Sequence, residues 1–276
     1  MIKTRNLHIY LFSLLFTLVL GLVFFYLNHA LDEAIWSGMQ ISKSALTAEY
    51  CELNRTDHLF HQPVNTYSNL FYFFLGSIVV GLSIKSTSPS NRNSLLQFPA
   101  LMAFCGLSLI YLCFGSSFFH ASMTWSGQRV DMNATYAVCL SCLAISLYYY
   151  KIQAFSTGLK TSYIIFLFLL VLFFVYLHLL ISSLVLLPTL IILILFFTVI
   201  NYNRNKSALN IQYAFLSLFF VVGAFILRTL DVMKIVCNPT SVFQGHALWH
   251  IFTGLSAFFL FWFYYSEKIS VQDKTQ

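Results

Sequence analysis

The chain has 276 residues, of which 59% are hydrophobic and only 9% are charged. A soluble globular domain carries about 25% charged residues, so this composition excludes that class and indicates a protein embedded in a membrane. Fifteen basic residues against nine acidic ones give a formal net charge of +6. In a membrane protein a basic excess reflects loop topology first, so we expect no nucleic-acid partner.

Eight apolar segments are long enough to cross a bilayer, whose hydrocarbon core takes about 20 helical residues. In chain order they lie at about 9–28, 66–84, 98–120, 130–150, 161–182, 184–201, 211–231 and 245–265. The apolar run from Tyr163 to Ile200 is too long for one span, and we divide it at Ser182–Pro188, where serines and a proline predict a tight hairpin. The sequence therefore predicts an all-α integral membrane protein.

The basic residues predict which connections face the cytoplasm. Lys3 and Arg5 precede the first span, which places the amino terminus inside by the positive-inside rule. The even-numbered connections and the tail then also lie inside, and ten of the fifteen basic residues fall on that side. The other eight of the ten are Lys85, Arg92, Lys151, Lys160, Arg204, Lys206, Lys268 and Lys274. Both termini are therefore expected in the cytoplasm, with either a bacterial inner membrane or the endoplasmic reticulum or Golgi of a eukaryote as the membrane.

The first apolar segment has an alternative explanation as a cleaved signal peptide. Its apolar run is longer than the usual 7–15 residues of such a peptide and lacks a clear small-x-small cleavage site. We therefore expect a retained helix.

Two short segments place ionisable residues in apolar spans, where they are costly and normally face a polar site. His246 and His250 lie four residues apart at the start of the last span, and Ser116 and His120 have the same spacing near the end of the third. Residues at i and i+4 share one face of a helix. In the predicted topology all four reach the same side of the membrane as Asp131, at the start of the fourth span.

Three histidines that converge at one depth suit zinc, which catalytic sites hold with three protein ligands and one open position. Zinc lowers the pKa of a water molecule to about 7, and Asp131 is placed for the proton transfer that amide cleavage requires. Simpler explanations exist for each residue: histidines as interfacial anchors, Ser116 bonded to its own helix, and Asp131 as a helix N-terminal acid. Their convergence on one side favours the metal site. The remaining histidines, for which we expect interfacial, loop or packing roles, are His8, His29, His58, His61 and His178.

Three segments resemble the alkaline ceramidases, within a superfamily of seven-helix metal-dependent lipid hydrolases that includes adiponectin receptors and GPI-lipid remodelling enzymes. They are EYCELNRTDHLFHQPVNTYSNL (49–70), GSSFFHASMTWSGQRVD (115–131) and HALWHIFTG (246–254). Their order and spacing are similar to those of the family over about residues 49–265. The resemblance implies a seven-transmembrane-helix bundle with one extra N-terminal helix.

The resemblance also implies a role for each residue of the cluster. His120, His246 and His250 would bind zinc, Ser116 would steady the oxyanion, and Asp131 would exchange protons. The substrate would be ceramide or a related N-acyl lipid of the bilayer, cleaved near the exoplasmic face to a free fatty acid and a sphingoid amine. No obligate protein partner is evident.

The family has a calcium site in the loop before its first helix, and the resemblance implies one here. The ligands would be Glu49, the carbonyl oxygen of Tyr50, Glu52, Asn54 and Gln62. Glu49 and Gln62 depart from the usual aspartate and glutamate. Calcium accepts amide oxygens, but the loss of a carboxylate should weaken the site.

Family members also pair two outer-loop cysteines, which implies a disulfide between Cys51 and Cys237 in an oxidising compartment. The predicted parts of the chain are an N-terminal transmembrane helix or signal anchor (1–30), an exoplasmic loop with the calcium site (31–65), the seven-helix zinc hydrolase domain (66–266) and a cytoplasmic tail (267–276).

Two other functions fit the same residues. An esterase or phospholipase acting on glycerolipids or lipid anchors would use the same ligand set, because zinc-activated water also attacks esters. A heptahelical lipid receptor would hold zinc structurally, although structural zinc sites tend to have four protein ligands and only three strong candidates are visible.

Overall fold

The computed structural model describes residues 6–86, 93–151 and 156–268, and within these ranges the chain is almost entirely helical. The α-helices are α1 (Leu7–Ala30), α2 (Lys43–Leu46), α3 (Pro63–Ser68), α4 (Leu70–Lys85), α5 (Pro99–Ser122), α6 (Trp125–Tyr150), α7 (Thr157–Leu180), α8 (Ser183–Arg204), α9 (Ile211–Val232) and α10 (Gly245–Tyr265). In this described part of the chain, eight helical segments are long and apolar enough to cross a membrane, with α3 and α4 together forming one of them. The predicted eight spans and the integral membrane helical bundle are confirmed.

The turn between α5 and α6 is tighter than predicted. Met123 adopts a left-handed conformation (φ 50°) that ends α5, and Thr124 caps α6 by accepting the N–H of Gly127 at 3.1 Å. As a result α6 begins at Trp125 rather than at residue 130. Asp131 therefore lies inside α6, close to the end of α5.

The predicted hairpin between α7 and α8 is present at Ser182, but Pro188, which was also assigned to the hairpin, is not part of it. α7 ends at Leu180, and Ser182 accepts the N–H of Leu184 at 3.2 Å at the start of α8. Pro188 lies inside α8. Proline has no N–H, so at this position it leaves the carbonyl of Leu184 without its usual helical donor.

Several residues that predict the topology lie outside the described residues. These are Lys3, Arg5, Arg92 and Lys274, together with residues 269–276 of the predicted tail. The side of the membrane on which each terminus lies, and the fate of the first helix in the cell, stay predictions.

α1 packs along α4 and is held at both ends. At one end a Cβ on Gly81 would lie only 2.7 Å from Cγ2 of Ile9, so the two helices approach closely there. At the other end the side chain of Asn28 accepts the N–H of Phe60 at 2.9 Å. The extra helix is therefore attached both to the bundle and to the loop that precedes α3.

α4 and α5 meet at a pair of glycines. A Cβ on Gly76 would lie 2.6 Å from the carbonyl oxygen of Gly106, and a Cβ on Gly106 would lie 2.8 Å from the carbonyl oxygen of Gly76. Small residues at such contacts let membrane helices pack backbone against backbone. This contact fixes α5, which carries Ser116 and His120, against the helix that continues from α3.

We predict that Gly106→Ala destabilises the protein by about 1–3 kcal/mol, the usual cost of overpacking. The new methyl group would lie within 2.9 Å of the backbone N of Val80 as well as against Gly76, and backbone atoms cannot move aside cheaply. Thermal unfolding in detergent measures the effect. Gly158→Ala is the control, because a Cβ there meets nothing within 4 Å. Equal unfolding temperatures for the two variants would contradict the close-packing argument.

Candidate metal centre

Three histidines meet where α5 ends and α10 begins. His120 lies in the last turn of α5, and His246 and His250 occupy the first turns of α10. They are 0%, 5% and 2% exposed, and their ligand nitrogens all lie within 4.8 Å of one another. Over the described ranges this is the one group of three or more His, Cys, Asp or Glu side chains arranged to hold a metal ion.

The geometry of the cluster fits a shared cation. Nε2 of His120 lies 3.1 Å from Nε2 of His246. Two nitrogens bound tetrahedrally to one zinc ion at about 2.0–2.1 Å would lie about 3.3 Å apart. To bind a metal ion, both nitrogens must be unprotonated. Their lone pairs then face each other, and a cation between them would satisfy both.

Two of the imidazoles are oriented through their other ring nitrogen. Nδ1 of His120 lies 2.8 Å from Oε1 of Gln62, and Nδ1 of His250 lies 2.7 Å from Oγ of Ser68. The hydroxyl of Ser68 itself donates to the carbonyl of Asn65, so its oxygen is free to accept from His250. Metal-bound histidines commonly donate their second N–H to an oxygen in this way, which fixes the tautomer and the ring orientation.

The two oxygen partners lie at opposite ends of α3: Gln62 immediately precedes the helix and Ser68 is its last residue. The N–H of Gln62 donates to the carbonyl of His120 at 3.0 Å, which ties the two backbones together. The carboxylate of Glu52 accepts the N–H groups of Val64 and Asn65 at 2.7 and 2.8 Å, which satisfies donors left open at the helix start. Burial raises the pKa of the Glu52 carboxyl to about 7, while these two hydrogen bonds act to lower it.

Ser116 and Asp131 lie beside the histidines. Ser116 is one turn before His120 on α5, is 2% exposed, and its hydroxyl neighbours the carboxylate of Asp131. Both residues line a cavity together with His246 and His250. Four of the five residues for which the sequence predicts a role in metal binding or catalysis therefore line one cavity, and the fifth, His120, contacts His246 beside it.

A second, mainly apolar cavity adjoins the first and reaches further into the bundle. The residues that line both are Tyr72, Leu112, Thr135, Leu187, Phe225 and Trp249. Beyond them the walls come from α6, α8, α9 and α10, and the cavity volume is about 110 Å³. A mainly apolar lining with a few polar groups is typical of a small-molecule site, and here it suits a hydrocarbon chain.

The loop before α3 covers the cluster with the ring of Tyr50. The centroid of this ring lies 4.1 Å from that of His246 and 5.3 Å from that of His120, and Tyr50 lines the first cavity. Burial raises the pKa of its hydroxyl. Tyr50 therefore excludes water from one side of the histidine cluster.

The neighbouring residue of the loop is joined to the connection between α9 and α10. Cys51 forms a disulfide with Cys237. The carboxylate of Asp231 accepts the N–H of Cys51 at 2.9 Å and the N–H of His246 at 3.1 Å, so one acid holds both the loop and the start of α10. These two N–H donors offset the free-energy cost of burying the Asp231 carboxylate.

The five residues expected to bind calcium all lie in this loop, and their oxygens already accept hydrogen bonds. Both carboxylate oxygens of Glu52 cap α3, as described above. Oδ1 of Asn54 accepts from the side-chain amide of Gln62 at 2.6 Å, and Oε1 of Gln62 faces His120. Calcium takes 6–8 oxygens and favours several carboxylates, whereas this set has two carboxylates, and all of their oxygens already accept from groups of the protein.

Sequence reasoning missed three contributors to the site. Ser68, which contacts His250, and Asp231, which holds the start of α10, were not expected at the site, and Gln62 was expected to bind calcium rather than to orient His120. Ser68 and His250 are 182 residues apart, so only the folded chain shows that they touch. The one available signal for Ser68 was its place in the segment 49–70 that resembles the family.

A family model described as Ceramidase matches residues 42–276 of the chain. The chain belongs to the ceramidase family. The match begins after α1, so the first helix lies outside the family region, and the resemblance drawn from the three motifs is confirmed. A search of curated proteins finds no match. Family membership makes this multi-pass membrane protein a hydrolase that acts on the amide bond of ceramide, a lipid substrate.

We predict that the purified protein contains about one metal ion per chain and that His246→Ala removes it, because two imidazoles alone hold a metal weakly. Elemental analysis of the purified proteins measures the content. His178→Ala is the matched control: this buried histidine lies on α7 and bonds to the carbonyl of Phe174 at 2.6 Å. A full metal complement in His246→Ala would show that the cluster is not the binding site.

Proposed function

We propose that the chain is a zinc-dependent intramembrane amidase that cleaves the N-acyl bond of ceramide or a related N-acyl lipid to a free fatty acid and a sphingoid amine. The observation that supports this most strongly is the position of three histidine nitrogens within 4.8 Å of one another, two of them on residues that line a cavity with Ser116 and Asp131. The Asp131 carboxylate beside the histidine cluster can carry the proton that an amine leaving group needs.

The histidines His120, His246 and His250 would hold the zinc ion. Three imidazole ligands leave one coordination position open, which is the pattern of catalytic rather than structural zinc sites. When bound, zinc supplies a water molecule with a pKa near 7 and polarises the carbonyl of the substrate. Gln62 and Ser68 keep the rings of His120 and His250 turned towards the shared point.

Asp131 would move one proton through the reaction. It takes a proton from the attacking water, and it returns that proton to the amide nitrogen as the C–N bond breaks, because an amine leaves only when protonated. The Ser116 hydroxyl neighbours the Asp131 carboxylate. It lies at the same cavity wall, where it can donate to the carbonyl oxygen as negative charge develops there.

The adjoining apolar cavity would hold a hydrocarbon chain of the substrate. Trp249 and Phe225 line both cavities, so a chain that passes between them lies next to the histidines at its polar end. Helices α8 and α9 both contribute to the walls and have lipid-facing sides, so we place substrate entry from the bilayer on this side of the bundle.

We place the active site near the exoplasmic face and both termini in the cytoplasm. The Cys51–Cys237 disulfide lies at the same end of the bundle as the histidines, and disulfides persist in oxidising compartments. Eight spans return the chain to the side from which it starts.

We predict that Asp131→Asn keeps the metal but lowers turnover on the order of 10²–10⁴-fold, because an amide of the same shape cannot take up a proton. Ceramide hydrolysis and metal content are measured on the same sample. Asp57→Asn is the control, since the Asp57 side chain is 81% exposed in the outer loop. Unchanged turnover in Asp131→Asn would remove this residue from the proton-transfer step.

A lipid panel tests the bond that is cleaved. We expect the purified enzyme to release fatty acid and sphingoid amine from ceramide and to release no fatty acid from a glycerophospholipid. Mass spectrometry quantifies both products, and His246→Ala serves as the blank. Fatty acid released from the phospholipid but not from ceramide would replace the amidase with an esterase or phospholipase.

A further inference from the structure

A lysine ammonium contacts the loop of residues 49–52. The resemblance to the family implies a calcium ion at this position. Lys234 lies in the connection between α9 and α10, and its Nζ donates to the carbonyl oxygen of Glu49 at 3.1 Å and to that of Tyr50. The Tyr50 carbonyl is one of the oxygens that calcium would need. Burial lowers the pKa of the Lys234 ammonium, and the nearby Asp231 and Glu49 carboxylates raise it.

The backbone holds Lys234 in an uncommon conformation. Its φ is 58°, in the left-handed region that non-glycine residues seldom adopt, and its N–H donates to the carbonyl of Asp231 at 3.0 Å. The carboxylate of that same Asp231 holds Cys51, the residue after Tyr50. The Lys234 ammonium and the Asp231 carboxylate, both at the end of α9, therefore bind adjacent residues of the same loop.

A second protein cation neutralises the first acid of the loop. Arg228, one turn before the end of α9, forms an ion pair with Glu49 at 3.1 Å, and Ser44 donates to the other carboxylate oxygen at 2.5 Å. Each carboxylate oxygen of Glu49 and of Glu52 therefore already has a partner within the protein, and a divalent ion would have to displace or share these contacts. Two fixed positive charges beside the loop also repel one.

We propose that Lys234, supported by Arg228, replaces calcium in this enzyme, so that the loop of residues 49–52 is held against α9 by the protein's own cations and needs no metal ion. The proposal concerns the loop alone and does not depend on the zinc chemistry. Because Tyr50 lies in this loop and covers His246, Lys234 is a positioning residue for the metal centre.

Calcium titration of the full-length protein in detergent tests the proposal. The protein is freed of calcium and supplied with zinc, so that the histidine cluster stays loaded. We expect added calcium to leave the unfolding temperature and the ceramide turnover of the wild type unchanged. A calcium-specific rise in the wild-type unfolding temperature, absent with magnesium, would overturn the proposal.

Lys234→Met removes the charge and keeps a long apolar stem. We expect its unfolding temperature to fall by several degrees, and we expect Lys234→Arg to restore most of the loss because a positive charge returns. Lys43→Met is the matched control, since Lys43 is exposed at the start of α2, ahead of the same loop. An unfolding temperature equal to that of the wild type in Lys234→Met would show that the ammonium does not hold the loop. Should Lys234→Met not fold, the wild-type titration decides alone.

Discussion

The architecture depends on one contact between two helices, the approach of His120 on α5 to His246 on α10 at 3.1 Å between their Nε2 atoms. Imidazoles are costly inside an apolar bundle unless a partner or an ion satisfies them. Both rings are buried, so the two helices must present them to each other with little freedom. The glycine contact between Gly76 and Gly106 and the short turn at Met123 fix the position of α5, and with it the position of His120.

A network at the same end of the bundle fixes α10 and the covering loop. The carboxylate of Asp231 accepts the backbone N–H groups of both Cys51 and His246, so a shift of the loop would be transmitted to the histidine cluster. The disulfide to Cys237 and the ammonium of Lys234 hold the same stretch of loop. The adjoining cavity is lined mainly by apolar side chains, so the site combines a polar end at the histidines with an interior suited to a hydrocarbon chain.

Much of the fold was predictable because membrane spans are specified locally, by apolar length. The predicted ends were wrong where a short-range turn decided them, as at Trp125, and where a proline was taken for a hairpin residue, as at Pro188. The candidate site was predictable because His246 and His250 share a helix face by spacing alone, whereas the meeting with His120 needed the topology. The roles of Ser68 and Gln62 were not predictable, since each depends on a contact between distant segments.

The sequence by itself determined the class of molecule, the eight spans and the residue types able to bind a metal, because hydrophobic length and helical periodicity act within a few turns of chain. Only the tertiary structure decided which nitrogen faces which oxygen, and that a lysine from the far end of α9 reaches the carbonyl of Tyr50. The physical reason is that hydrogen bonds and ion pairs act over about 3 Å, and a linear sequence does not state which distant residues come that close.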